Sequence, residues 1–311
     1  MRAVVSSAAI DGHNVTVADV PTPRPGAGQV QVAVAAAAVN PVDLFTAEPA
    51  ALRRLGLSEL PQQVGLGWDL AGTISALGDG VTDFAIGQPV IGLVDKFVTP
   101  IGAQSEYVVL DTHAVAPLPE GADLAAAATL PTNASTARQA LRLSGAQPGD
   151  SVLVTGAAGA VGAFALEVGS RLGYRMIGVA RAADEQTVRG FGAADFIAAD
   201  GDLAGAVRAL VADGVDVIFD TAMLVDKITG ALAEGGSFIA VNDPATPSIP
   251  RAKVQKVNVR ADAGDLAAVV ADWQAGRITA RIADRYRFDQ AADAHARLRA
   301  GGVRGRLLLV P

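Results

Sequence analysis

The run Ser151-Val-Leu-Val-Thr-Gly-Ala-Ala-Gly-Ala-Val-Gly162 reads as a buried strand entering a glycine-rich turn that opens a helix. Peptide N–H groups at a helix start have no partner within the helix, and the macrodipole adds positive potential behind them, so this turn suits a pyrophosphate. Thr155, Ala157, Ala158, Gly159, Ala160, Val161 and Gly162 are the residues expected to hold it. Gly159 admits phosphates close to the backbone, and Gly162 lets the helix pack against the strand. The first glycine of a G-x-G-x-x-G pattern is replaced by Ala157, with Gly156 one place earlier, and a tight structural turn is the competing reading. Further strand–helix repeats around the motif favour the dinucleotide.

About 20 residues beyond such a turn, an acidic side chain would bind the ribose hydroxyls of NAD. The chain has Val179-Ala-Arg181 there, with no carboxylate. The planar guanidinium of Arg181 matches a 2′-phosphate, which favours NADPH over NADH. A solvated loop arginine is the other reading, and Asp184 and Glu185 would weaken a phosphate site electrostatically.

The elements that must position this chemistry follow from composition and period. A chain of 311 residues with 50% apolar and 18% charged residues has ample core for about two domains and is not disordered. Its 25 basic and 32 acidic residues leave a net charge of −7, the wrong sign for a nucleic-acid binder. There is no cysteine, so disulfides, thiolate nucleophiles and cysteine-containing zinc sites are excluded. No basic leader and no apolar run of about 18 residues is seen, so no membrane partner is expected and a cytoplasmic location is the default.

Residues 1–120 contain short β-like runs cut by turn punctuation, among them Gln29-Val-Gln-Val-Ala-Val34 and Ala71-Gly-Thr-Ile-Ser75. From 121 to 260 strands alternate with helices, which forces parallel strands and predicts an α/β, doubly wound Rossmann-type sheet. Predicted pieces include helices over Ala160–Leu172 and Leu224–Leu232 and strands over Ser151–Val154 and Ser237–Val241. The tail, 261–311, is too short to form its own core and is expected to join 1–120 as a discontinuous β-rich catalytic domain.

Across nearly its whole length the chain resembles the medium-chain dehydrogenase/reductase superfamily, in particular its zinc-free, zeta-crystallin-like quinone oxidoreductase branch. The resemblance rests on Ala38-Val-Asn-Pro-Val-Asp43, Gly67-Trp-Asp-Leu-Ala-Gly72, Leu130-Pro-Thr-Asn-Ala-Ser-Thr-Ala137, the glycine turn, Gly214-Val-Asp-Val-Ile-Phe-Asp220, Gly235-Gly-Ser-Phe-Ile-Ala-Val241 and Arg304-Gly-Arg-Leu-Leu-Leu309. It implies that the β-rich domain is GroES-like. Zinc-dependent relatives carry cysteine, histidine and cysteine at the positions of Asn40, Trp68 and Thr132, so no metal is expected here. Without a Lewis acid to stabilise an alkoxide, the chemistry implied is hydride transfer to an already electron-poor small molecule, a quinone or an α,β-unsaturated carbonyl.

The same resemblance assigns the remaining site residues. Asn40 is the first candidate to hydrogen-bond the developing oxyanion, against a turn residue preceding Pro41. Asp43 either orients a neighbour or ends a loop. Phe45 stands where a tyrosine is common in the family, so a phenolic proton donor is missing. Trp68 and Thr132 are expected to line the former metal cavity, with a core tryptophan as the alternative for Trp68, and Thr136 to lie beside the nicotinamide. Val241 and Asn242 would present backbone groups to the carboxamide, and Arg306 would touch cofactor phosphate or the surface. His13, His113 and His295 lack metal spacing and read as structural. Lys253-Val-Gln-Lys-Val-Asn-Val259 resembles an edge strand that family members pair across a homodimer. The rival to an enzyme is a catalytically idle NADP(H)-binding scaffold or sensor of the same fold.

Overall fold

A computed structural model of the chain describes residues 1–10, 12–57, 59–241 and 248–311. It consists of two compact units. Unit 1 is Met1–Thr132 with Arg260–Ala275 and Ala280–Pro311, and unit 2 is Asn133–Val259 with Gly276–Thr279.

Unit 1 opens with strands β1 (Arg2–Ser7), β2 (Thr16–Asp19) and β3 (Gln29–Val39), then two one-turn helices, α1 (Pro41–Thr46) and α2 (Pro49–Arg54). Strands β4 (Gln63–Gly65), β5 (Asp69–Leu77), β6 (Pro89–Leu93), β7 (Tyr107–Asp111) and β8 (Val115–Pro117) precede helix α3 (Leu124–Ala127). Along β3 the side chains of Val30, Val32 and Val34 are buried while Gln31 and Ala33 between them are partly exposed, the period-2 alternation of a sheet with one wet face.

The chain next runs through helix α4 (Pro131–Ser144), which starts in unit 1 and continues into unit 2. The alternation follows: β9 (Ser151–Thr155), α5 (Ala160–Arg171), β10 (Arg175–Ala180), α6 (Glu185–Gly190), β11 (Asp195–Ala198), α7 (Leu203–Leu210), β12 (Val215–Asp220), α8 (Val225–Ile228), β13 (Leu232–Ala240) and β14 (Lys253–Lys256). These strands form a six-stranded sheet in the order β11-β10-β9-β12-β13-β14, parallel throughout. That is the doubly wound order whose direction of winding reverses between β9 and β12, where α/β sheets bind their ligands. Leu153, Ile177, Ile218 and Phe238 form the middle of its core.

The tail supplies α9 (Ala263–Gln274), β15 (Ile282–Arg287), α10 (Ala291–Arg299) and β16 (Arg306–Val310). It adds to the larger sheet of unit 1, ordered β15-β16-β3-β5-β6-β8 with β7 also paired to β3, beside a three-stranded sheet β2-β1-β4. Leu307 and Leu309 of β16 pack with Val4, Val39 and Phe288, so the two distant ends of the chain share one core. This is the GroES-like companion of a Rossmann-type domain.

The observed division differs from residues 1–120 in reaching Thr132, because α3 packs on β3, β5 and β6 rather than on the parallel sheet. The helix predicted over Leu224–Leu232 shrinks to α8 and a 3₁₀ turn at Thr229–Ala231, and β13 begins at Leu232, ahead of Ser237. Gly230 within that stretch is a poor helix former, and pairing of Leu232 with Val215 draws the chain into the sheet early. Among the described residues, no helix is long and apolar enough to cross a membrane.

Gly72 of β5 shows how tightly the larger sheet is built. A methyl group there would overlap the Ala33 carbonyl oxygen and press on Val32 Cγ1 at 2.9 Å. Because the obstacle is backbone, no rotamer relieves it. Gly72→Ala is expected to destabilise the protein by about 2–3 kcal/mol, read as a fall in the urea midpoint with an unchanged slope.

Candidate active site

In unit 2 the turn after β9 is built as the spacing predicts. Gly156 has φ +60°, a conformation glycine adopts without strain. Gly159 is the N-cap of α5, and Ala160, Val161 and Gly162 form its first turn. A Cβ on Gly159 would stand 2.9 Å from the Gly156 carbonyl oxygen, and one on Gly162 2.9 Å from Ala157 Cα. Both glycines are therefore needed for the turn to close this tightly beneath the helix start.

The turn is pinned from below. Thr155 Oγ1 donates to Asp220 Oδ1 at 2.5 Å and accepts from the N–H groups of Thr221 and Ala222 at 3.0 and 3.1 Å. Ala157 N–H donates to the Val179 carbonyl at 3.0 Å. Thr155 and Asp220 close β9 and β12, so these bonds hold the turn at the point where the sheet reverses its winding. A helix of twelve residues directed at this turn, with a glycine cradle that side chains would fill, fits a dinucleotide pyrophosphate.

Arg181 follows β10 directly and is exposed. Glu185 accepts from Arg189 Nε at 2.9 Å, so this carboxylate already has a cationic partner other than Arg181. Thr136 is buried on α4, and Val241 follows β13. Asn242 lies outside the described residues.

The other expected residues belong to unit 1, where Asn40 and Thr132 bond a carboxyl group that the sequence leaves without a role. Asp69, the first residue of β5, is fully buried. Its Oδ1 accepts from the Thr132 N–H at 2.6 Å and from Thr132 Oγ1, and its Oδ2 accepts from Asn40 Nδ2 at 2.8 Å. Arg306 Nη1 reaches Asn40 Oδ1 at 3.4 Å. Burial pushes the Asp69 carboxyl up to about 6, against the downward pull of the Thr132 and Asn40 hydrogen bonds and the charge of Arg306.

Asp43 is likewise buried at the start of α1, where Oδ2 accepts from the Asn40 N–H at 2.7 Å and from Gln104 Nε2 at 3.3 Å. Burial, with Asp69 adding repulsion, holds its carboxyl well above the usual carboxylate range. Gln104 Oε1 meets His295 Nε2 at 3.0 Å, and the ring of His13 lies 5.6 Å from that of His295. Burial, with His13 and Arg299 nearby, depresses His295 to about 3, so it is neutral in the fold.

Two placements, of Asn40 and Arg306, depart from expectation. Asn40, the candidate oxyanion donor, is 1% exposed and donates to Asp69. Arg306, expected at cofactor phosphate or the surface, is the buried cation of this network, lowered to about 10 chiefly by burial and by Arg281. Its β16 partner strand β3 carries it next to Asn40, a pairing that spans most of the chain and leaves no local sequence signal. Trp68 is buried, and its indole N–H has no acceptor among the described residues. Trp68 packs edge-on against Phe97 at 5.3 Å, and Phe97 packs against Phe45 at 5.9 Å, giving an apolar wall in unit 1. Among the described residues, no three His, Cys, Asp or Glu side chains are grouped to hold a metal ion.

Residues 26–120 match the Alcohol dehydrogenase GroES-like domain family and residues 191–309 the Zinc-binding dehydrogenase family. Among curated proteins the chain is 34% identical over 192 residues to Erythronolide synthase EryA2 of Saccharopolyspora erythraea, covering 60% of this chain and 5% of that one. The chain spans only 3–5% of the length of the first three curated relatives it matches. It is 27% identical over 291 residues to the NADPH-dependent alkenal/one oxidoreductase, chloroplastic, of Arabidopsis thaliana, covering 88% of this chain and 70% of the relative. The quinone oxidoreductase structure from Coxiella burnetii shares the fold over 100% of this chain and 99% of its own, with a TM-score of 0.86 at 23% identity. A glycine turn at the switch point of a six-stranded parallel sheet, a GroES-like unit and matches to both dehydrogenase domains place the chain in the medium-chain dehydrogenase/reductase superfamily, a family of oxidoreductases that use a nicotinamide cofactor.

Proposed function

We propose that this protein is an NADPH-dependent, zinc-independent reductase that acts on a quinone or an α,β-unsaturated carbonyl compound. The observation that carries the reading is the hydrogen-bonded set Asn40–Asp69–Thr132. At the places where resemblance would put two of the zinc ligands, this chain has an amide and a hydroxyl that donate to a carboxyl group. Such a site offers no Lewis acid to an alcohol, so it suits an acceptor that is electron-poor before it binds. The name of the alkenal/one oxidoreductase relative agrees with that class.

The turn residues Gly156 to Ala158 and the α5 start, Gly159 to Gly162, would hold the pyrophosphate, with Arg181 at the 2′-phosphate and Val241 and Thr136 toward the nicotinamide. Bound there, the reduced nicotinamide supplies a hydride. The chain itself contributes the apolar wall of Trp68, Phe97 and Phe45, against which a planar conjugated acceptor packs while water is excluded. In this arrangement Asn40 and Asp43 act through Asp69 rather than on the acceptor, because both are buried in its network. The edge strand β14 is the surface we assign to a homodimer.

The purified protein is expected to oxidise NADPH in the presence of small quinones or enones, with no loss on treatment with a chelator. Tight NADPH binding without turnover across such a panel would instead identify an idle binding protein. Arg181→Ala is expected to raise the KM for NADPH by about 10- to 100-fold, the worth of a charge-assisted contact, while leaving the KM for NADH unchanged. An equal effect on both cofactors would remove Arg181 from the phosphate site.

A further inference from the structure

Adding a hydride to an enone or quinone moves an electron pair onto the acceptor oxygen, which must then take a proton. Phe45 has none to give, and the amide of Asn40 is buried against Asp69. We propose that the Thr132 hydroxyl is the proton donor to that oxygen and that Asp69 replenishes it through the hydrogen bond they share. This inference rests on the reductase reading and supplies its acid.

The geometry is that of a fully buried carboxyl group hydrogen-bonded to the hydroxyl of Thr132. Asp69 is 0% exposed and Thr132 8%, so Thr132 is the less buried member of the pair. Asp69 Oδ2 is occupied by Asn40 Nδ2, and Oδ1 receives both donors of Thr132. When Asp69 is protonated, its proton sits on Oδ1 and points to Thr132 Oγ1, which turns the threonine hydrogen toward an acceptor. The charged and titratable groups around Asp69 are Asp43 on α1 and Arg306 on β16; the charge of Arg281 acts on Arg306, and His295 on α10 meets Gln104, which donates to Asp43. Burial favours the neutral acid, while the donated hydrogen bonds and Arg306 favour the carboxylate. The balance near 6 leaves the acid able to give up its proton at neutral pH.

The step balances. A C–H bond forms at the acceptor carbon, the π pair moves to oxygen, and an O–H bond forms as Thr132 Oγ1 gives its proton. Thr132 Oγ1 takes the Asp69 proton, leaving a carboxylate. After the product departs, one proton from solvent returns through Thr132.

Because the neutral acid is the active form, kcat is expected to fall about tenfold per pH unit above the Asp69 transition. Thr132→Val, which keeps the backbone N–H and the side-chain shape, should lower kcat by about 100-fold with the KM for NADPH unchanged. Thr132→Ser should restore most of it. Asp69→Asn should lose the alkaline limb, and infrared titration of the protein without cofactor should lose a protonated-carboxyl band with a midpoint near pH 6. A Thr132→Val protein that keeps both its kcat and its alkaline limb overturns the proposal while the reductase reading stands. A wild-type protein that reduces no quinone or enone overturns both.

Discussion

A carboxyl group taken fully out of water has to be met by donors, and Asp69 is met by them from two separate stretches of chain, with a third supplying charge. Asn40 comes from the start of α1 and Thr132 from the start of α4, and Arg306 at the start of β16 supplies the compensating charge through Asn40. Leaving such a group unpaired costs several kcal/mol, so these segments are bound to a single arrangement. The adjoining Asp43, Gln104 and His295 extend the same constraint to α10. Unit 1 is thus held by an apolar core of sheets and by a buried polar seam that fixes how helix starts and strand ends meet.

Unit 2 solves a different problem by local means. Its binding turn needs little more than glycine at the right places, a strand that ends beside β12 and a helix that begins one turn later. Thr155 and Asp220 bond to one another to fix it, with the Thr221 and Ala222 N–H groups donating to the same threonine hydroxyl, and the parallel ladder sets the heights of β9 and β12. The contrast between the units matches the tasks proposed for them. Phosphate recognition is backbone chemistry, while management of an acceptor oxygen requires side chains with defined protonation.

The local features were legible. The strand–turn–helix of residues 151–162 and the parallel alternation up to β13 all follow from period and glycine placement. Helix α8 is shorter than its periodic pattern predicts, because Gly230 and the pull of the sheet outweigh that pattern. Asn40, Thr132 and Trp68 were singled out by resemblance, yet what Asn40 touches was not foreseeable. Asp69 carried no signal of its own beyond being a carboxylate at the edge of an apolar strand, a polar residue that burial makes worth questioning. Arg306 read as a surface or phosphate contact because nothing near it in sequence shows that β16 lies against β3.

From the residues alone came the alternation of elements, the phosphate-fitting turn and a chemistry without thiolate ligands, since each depends on residue type or on spacing within a few turns. Tertiary structure alone decided that Asp69 is buried, that Thr132 and Asn40 share it, and that Arg306 supplies the charge beneath them. Those contacts join positions 29, 63 and 266 residues apart. Protonation at such a site depends on solvent exclusion and on the field of neighbours brought together by folding, and neither quantity exists until the chain has closed around it.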